Sequence, residues 1–278
     1  MPRETQIAGM SVAVTGGAHG IGRSVAEHFA RAGARVAIGD LDAAGAEAAA
    51  SAIGPAALGL PLDVSDRDAF AAFLDAAEER YGPLDVVVNN AGIDWIGPFH
   101  QEPDDVTRRQ IEVNLLGAIH GTRLALRRML PRGRGHVVNV ASGVGRVPLP
   151  HSAVYSATKH GIVGLTESLR LEYRDSGLRF SLIQPAQVET GMLEGQARPR
   201  ALPLVTPDDV AGAVVRAVRR DRFEVWVPAS QGATARLGAL LPRRAREAVY
   251  RAIGLGKIGG ATDRDARRGY HERTFGRS

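Results

Sequence analysis

MSVAVTGGAHGIGRSVAEHFARAG, residues 10–33, decides how the chain folds. Its first seven residues are a short apolar run rich in valine, the pattern of a strand buried on both faces. Residues 21–32 then space their apolar side chains at helical intervals and stop at Gly33. Between the two lies Thr15-Gly16-Gly17-Ala18-His19-Gly20-Ile21-Gly22. Glycines at such a turn allow tight backbone geometry and close approach of a pyrophosphate to the helix N-terminus. The spacing is Gly-x-x-x-Gly-x-Gly rather than Gly-x-Gly-x-x-Gly. Taken alone it also fits a plain strand-to-helix turn.

The same alternation continues along the chain. Strands are expected near 35–40, 57–64, 84–90, 136–142, 178–185 and 223–228. Helices are expected over 42–53, 66–81, 103–130, 152–176 and 207–220. Strand–helix alternation with nearly continuous apolar strands predicts an α/β fold, a three-layer doubly wound sheet of seven mainly parallel strands with helices on both faces. No repeat or linker interrupts residues 1–228, read as one dinucleotide-binding and catalytic domain. Residues 229–278 read as a basic, amphipathic C-terminal helical extension, with two short helices around Pro242 and a polar, least ordered end over 259–278.

Composition narrows the function classes. There is no cysteine, which excludes disulfides, thiolate catalysis and cysteine metal sites. No metal-ligand cluster stands out. No 18-residue apolar run or secretory leader is present, so a cytoplasmic protein is expected. The net charge is +5, but Arg222 to Ser278 alone holds 12 basic and 5 acidic residues. The excess therefore belongs to one end, and only 5% of residues are aromatic, which argues against nucleic acid. The apolar face around Leu237, Leu240, Leu241, Val249 and Ile253 needs cover, from the parent domain, another subunit or a membrane surface.

Asp40 ends the second strand, 20 residues after Gly20. A carboxylate there can accept both adenosine ribose hydroxyls and would repel a 2′-phosphate, so NAD is expected over NADP. The alternative is that Asp40 caps the helix beginning near Asp42. His19, a basic side chain beside the loop and able to face a phosphate, pulls the other way.

Lys159 is one of two lysines among 35 basic residues, and it follows Tyr155 by four. That interval puts both on one face of a helix, one turn apart. A free phenol, with a pKa of about 10, is a poor base near neutral pH. A neighbouring ammonium favours the phenolate, so Lys159 is expected to lower the Tyr155 pKa. Lysine is also a compact donor for ribose hydroxyls, where a wide guanidinium would not serve. Ser142 ends the fifth strand, at the edge where ligands bind in such sheets. Asn114 sits mid-helix, a poor propensity choice that asks for a reason.

With these residues in place, the chain resembles a single-domain short-chain dehydrogenase/reductase over about residues 10–228. The resemblance rests on TGGAHGIG (15–22), Asp63-Val64, Asn89-Asn90-Ala91-Gly92, Asn114, Ser142, YSATK (155–159) and Pro185. It implies a seven-stranded Rossmann fold and hydride transfer between NAD(P) and a secondary alcohol or ketone. It implies Tyr155 as general acid/base, Lys159 as its pKa shifter and ribose ligand, Ser142 as substrate orienter, and Asn114 as holder of a relay water. The cofactor would lie along Gly16, His19, Gly20, Ile21 and Gly22, then Asp40 and Leu41, Asp63 and Val64, and Asn90, Ala91 and Gly92. Tyr155, Lys159, Pro185, Val188 and Thr190 would complete its site. A homo-oligomer, dimer or tetramer, is also implied.

Two departures bear on the substrate. Ala186 stands where the family usually has glycine, and the stretch from Thr190 to Pro207 is short for a lid. An open pocket is expected, completed by the C-terminal extension. Asp94, Trp95, Val144, His151, Gln187 and Met192 are the substrate-pocket candidates, with Ile96, Arg146 and Leu193 nearby. A mostly apolar set of this kind points to a hydrophobic small molecule. The competing readings are an NADP-dependent ketoreductase, a lyase or epimerase that retains its cofactor, and a non-catalytic nucleotide-binding scaffold.

Overall fold

The computed structural model describes residues 4–196, 204–252, 254–255 and 264–276. In chain order the first half runs β1 (Ser11–Thr15), α1 (Gly20–Arg31), β2 (Arg35–Asp40), α2 (Ala43–Ile53), β3 (Ala57–Pro61), α3 (Arg67–Tyr81) and β4 (Val86–Asn89). α4 (Asp104–Gln110), a π-helical turn over Ile111–Leu116, α5 (Gly117–Met129), β5 (Gly135–Val140), α6 (Ala153–Glu172) and β6 (Leu178–Pro185) follow. A two-residue pair, β7 (Gln187–Val188) and β8 (Leu204–Val205), precedes α7 (Pro207–Arg220) and β9 (Glu224–Val227). The end of the chain adds α8 (Ala229–Ala239), α9 (Arg243–Ala252) and α10 (Arg264–Phe275).

Seven strands form one parallel sheet in the order β3-β2-β1-β4-β5-β6-β9. The period-two direction of side chains explains why both faces are apolar. Val12 and Val14 of β1, Val36 and Ile38 of β2, and Val86 and Val88 of β4 point to one face, against Val25 and Phe29 of α1 and Val210 and Val214 of α7. Ala13, Ala37 and Val87 point to the other, against Phe70 and Leu74 of α3 and Leu124 and Met129 of α5. A strand buried on both sides has no room for polar alternation, which is why these runs read as unbroken valine.

Two differences from the sequence reading have local causes. The expected helix over 103–130 is interrupted by the π-helical turn, which carries Asn114. Residues 259–278, expected to be the least ordered, include the helix α10, in which Arg267 and Tyr270 are buried. Among the described residues no helix is long and apolar enough to cross a membrane, and no cluster could hold a metal ion.

One core group sets an acid limit on the fold. His136 of β5 is buried, and its Nε2 lies 2.8 Å from Ser181 Oγ on β6. Ser181 donates its own proton to Arg222 O at 2.6 Å, so it accepts from His136. Burial, with the Arg179 charge adding, pushes the His136 pKa down to about 3. Between that value and about 6.5 the unfolded chain binds the proton and the folded chain does not. The contribution of the neutral imidazole is therefore complete above about 6.5 and is lost as pH falls towards 3. Denaturant unfolding at pH 7 and pH 4 should show that loss, about 2–4 kcal/mol. His136→Phe should be less stable at pH 7, where Ser181 loses its donor, and should have a flatter acid limb. An unchanged limb in the variant would clear His136 of this role.

Candidate active site

The strand order reverses direction between β1 and β4, leaving a crevice at their carboxyl ends where ligands bind in open sheets of this type. A cavity of about 1520 Å³ occupies it. That exceeds the roughly 300–1,000 Å³ of a site for one small ligand, leaving room for two. Gly16, His19, Gly20, Ile21, Asp40, Leu41, Asp63, Val64, Asn90, Ala91, Gly92, Pro185, Val188 and Thr190 line it, together with Ser142, Tyr155 and Lys159.

The glycine loop is shaped by close approach. Gly16 has φ +66, and a Cβ there would lie 2.8 Å from Ala91 Cα. A Cβ on Gly22 would lie 2.1 Å from Gly16 O, so α1 can enter this close to the loop only with glycine. Thr15 and Asn90 tie the two loops together. Thr15 Oγ1 accepts from the N–H groups of Asn90 and Ala91 at 3.0 and 3.1 Å. Asn90 Nδ2 donates to the carbonyls of Thr15 and Gly16 at 3.0 and 3.1 Å. α1 starts at His19 with no side-chain cap and no acidic residue in its first turn. Its N-terminal amides are thus open to an anion, as the pyrophosphate of a dinucleotide requires. The residues present fit such a cofactor.

At the far end of the crevice, Asp40 Oδ2 accepts from Ala18 N–H at 2.9 Å and Oδ1 from Asp42 N–H at 3.0 Å. Asp40 is not the cap of α2. Asp42 is, accepting from Gly45 N–H at 2.9 Å. His19 Nε2 lies 3.1 Å from Asp42 Oδ2, so the basic side chain beside the loop faces a carboxylate. Asp63 binds Ser65 and, at 3.0 Å, Arg109 Nη2. Although burial acts the other way, these partners hold its carboxyl below the usual range.

α6 brings Tyr155 and Lys159 to the cavity, with Lys159 Nζ 5.5 Å from the centre of the Tyr155 ring. Lys159 is buried and donates to Val140 O at 3.1 Å. Ser142, just after β5, accepts from Val144 N–H at 3.2 Å and lines the same cavity as Tyr155. Asn114 lies beneath. Its Oδ1 accepts from Ile93 N–H and its Nδ2 donates to Ile93 O, both at 2.8 Å, with a further bond to Thr158 Oγ1 at 3.2 Å. The unfavourable mid-helix asparagine is thus an anchor for the loop after β4.

The electrostatics correct one expectation. Burial, then the Asp94 carboxylate, raises the Tyr155 pKa well above its ordinary value, with only the Ser142 hydroxyl opposing. Lys159 does not lower it on balance, because burial has weakened the ammonium itself, to a pKa of about 8.

The substrate candidates divide. Val144, Gln187, Met192 and Leu193 line the cavity. Asp94 lines it too, but its carboxylate is taken by Arg267 and Gln196. Trp95 and His151 do not line the cavity. The Trp95 ring packs against Gly97, and the His151 carbonyl accepts from Gly97 N–H at 2.9 Å, so both belong to the wall behind it. Ile96 is core, and Arg146 pairs with Glu167 and Glu224. Residues 197–203, seven of the sixteen between Thr190 and Pro207, lie outside the described residues. The C-terminal extension completes the pocket as expected, through residues the sequence did not single out for it: Leu241, Arg246, Val249 and Tyr250 of α8–α9, Leu255, and Tyr270, Arg273 and Thr274 of α10. Tyr270 and Thr274 stand one turn apart, a polar stripe on a helix that gave no other sign of burial.

The short chain dehydrogenase family model matches residues 10–201. A cis-4-hydroxycyclohexanecarboxylate dehydrogenase of Sinomonas cyclohexanicum is 39% identical over 72% of this chain and 86% of its own length. A 3beta-hydroxysteroid dehydrogenase of Eggerthella lenta is 36% identical over 69% and 76%. Among solved structures, a short chain dehydrogenase/reductase from Burkholderia phymatum in complex with NAD superposes with a TM-score of 0.78 at 28% identity, over 84% of this chain and 94% of that one. Sequence match and shared seven-stranded architecture lead to one conclusion: the chain belongs to the short-chain dehydrogenase/reductase family, enzymes that interconvert hydroxyl and carbonyl groups.

Proposed function

We propose that the protein is an NAD-dependent oxidoreductase that moves hydride between the nicotinamide and a hydrophobic secondary alcohol or ketone. The observation that carries this reading is that Ser142, Tyr155 and Lys159 line one cavity with the glycine loop, Lys159 Nζ lying 5.5 Å from the centre of the Tyr155 ring.

Bound NAD would supply the hydride acceptor, or NADH the donor. The chain's own residues do the rest. Gly16, Gly20, Ile21 and the α1 amides would hold the pyrophosphate, and Pro185, Val188 and Thr190 the nicotinamide end. Lys159 would hold ribose hydroxyls. Ser142 fixes the substrate oxygen beside Tyr155. In alcohol oxidation the Tyr155 phenolate takes the hydroxyl proton, and in ketone reduction the phenol gives one. Asn114 holds Ile93 and with it Gly92, where a Cβ would lie 3.3 Å from Asn114 Oδ1 and 3.4 Å from Lys159 Nζ. That glycine leaves space for a water relay between the two residues. Positioned acid–base help of this kind contributes about 10²–10⁴-fold.

NAD is favoured over NADP by charge. Asp40, Asp42 and Asp63 surround the adenosine end, and its basic groups His19 and Arg109 each face a carboxylate. The NAD-bound family structure supports the choice. A hydrophobic substrate is favoured by Val144, Leu149, Leu241 and Val249 in the wall, and by the alicyclic and steroid substrates named for two relatives. Exposed Ile111, Leu116 and Leu171 on the α4–α6 side favour a homo-oligomer.

Fluorescence titration with NADH and NADPH tests the reading. NADH should bind at least about tenfold more tightly, from one extra phosphate placed near a carboxylate. Preference for NADPH would reduce Asp40 to an anchor of Ala18, and binding of neither would overturn the oxidoreductase assignment.

A further inference from the structure

Asp94 and Arg267 are 173 residues apart, yet their side chains pair at 2.7 Å with 6% and 1% exposure. An ion pair this dry gives little net stability, because desolvation offsets the attraction. What it fixes is position, and the surrounding bonds show what is fixed. Arg267 Nη1 donates to Met192 O at 2.8 Å and Glu194 O at 3.1 Å. Gln196 Nε2 bridges Asp94 Oδ2 at 3.2 Å and Met192 O at 2.7 Å. The Tyr270 hydroxyl accepts from Asp94 N–H at 3.0 Å, and its ring lies 4.7 Å beneath the Arg267 guanidinium. Arg273 pairs with Glu194 outside, at 3.1 Å. Two loops that belong to different strands, one after β4 and one after β7, are thus joined through a single side chain of α10.

Resting on the oxidoreductase reading, we propose that Arg267 is a positioning residue for the substrate end of the active site. It holds Asp94 and the 191–196 segment in place and seats α10 as the wall that a long apolar substrate meets. Tyr270 and Thr274, which α10 presents to the cavity, then select substrates by length. Asp94 also reaches the acid–base pair, since its charge is felt at both Tyr155 and Lys159 on α6.

The test compares wild type, Arg267→Met and Asp94→Asn/Arg267→Met, with NAD and the alcohols propan-2-ol to decan-2-ol. The double variant leaves no unpaired buried charge and so covers the case in which the single variant does not fold. In either variant KM for decan-2-ol should rise at least about tenfold more than KM for propan-2-ol, the size of a lost apolar contact surface. kcat should fall less than KM rises. Hydrogen exchange at residues 191–196 and 264–275 should speed up, and this needs no turnover. Equal losses for short and long alcohols, or unchanged exchange in the variants, would overturn the proposal. If wild type turns over none of the alcohols and binds no NADH, the oxidoreductase reading fails. The exchange measurement still decides whether Arg267 holds the segment.

Discussion

Tyr155→Phe should lower kcat by about 10²- to 10⁴-fold and leave NADH affinity within about twofold. The loss amounts to roughly 3–5 kcal/mol of barrier. Phenylalanine keeps the ring beside Lys159 and removes only the hydroxyl. The fold should therefore survive and the proton transfer should not. Single-turnover kinetics with a hydrophobic ketone and NADH would separate the two effects. A variant with wild-type turnover would refute Tyr155 as acid/base. A variant that loses NADH binding together with turnover would make Tyr155 a cofactor ligand first.

The direction of the Tyr155 shift adds a pH signature. With its pKa raised, the side chain is the neutral phenol through neutral pH, which is the form ketone reduction needs. Alcohol oxidation needs the phenolate, so kcat/KM for oxidation should climb as pH rises, while reduction should not. Lys159, with a pKa of about 8, carries its charge through neutral pH and has lost it by the pH at which the raised phenol ionises. Burial strengthens the attraction between an ammonium and a phenolate but penalises each charged form, and for Tyr155 that penalty prevails.

Sequence reading succeeded where function follows local spacing. Tyr155 and Lys159 share a face because four residues make a helical turn, and that holds wherever the helix lies. The alternation of β1, β2 and β4 with helices fixed a parallel sheet, and a parallel sheet places every strand's carboxyl end on one edge, which assembled the glycine loop, Asn90 and Ser142. It failed where position depends on contacts distant in sequence. Nothing near Asp94 announces Arg267, and a polar helix at the end of a chain normally reads as solvated surface. Trp95 and His151 flank the motifs in sequence yet do not line the cavity: Trp95 packs on Gly97 in the loop after β4, and the His151 carbonyl, in the loop after β5, accepts from Gly97 N–H. The Tyr155 shift was misread for a related reason: burial is a property of the assembled cavity, and the lysine four residues away was the only influence visible in the sequence.

Asp40→Asn should move the NADH/NADPH preference by about 10²-fold towards NADPH, from two separable effects. A carboxylate about 5 Å from a phosphate dianion costs roughly 2 kcal/mol at an effective dielectric near 60, and neutralising it returns that to NADPH. Loss of a charged acceptor for ribose hydroxyls takes about 1 kcal/mol or more from NADH. Asparagine can keep one of the two backbone bonds, to Ala18 or to Asp42, so the loop after β1 should hold its shape. His19 would remain opposite Asp42 and would not supply a strong phosphate site. A shift of this size reverses an NADH preference of about tenfold, and neutralising Asp42 as well should extend the reversal. Parallel titrations of wild type, Asp40→Asn and Asp40→Asn/Asp42→Asn would measure both steps. If the single variant leaves the preference unchanged, Asp40 serves only to anchor Ala18, and discrimination lies with Asp42 and His19.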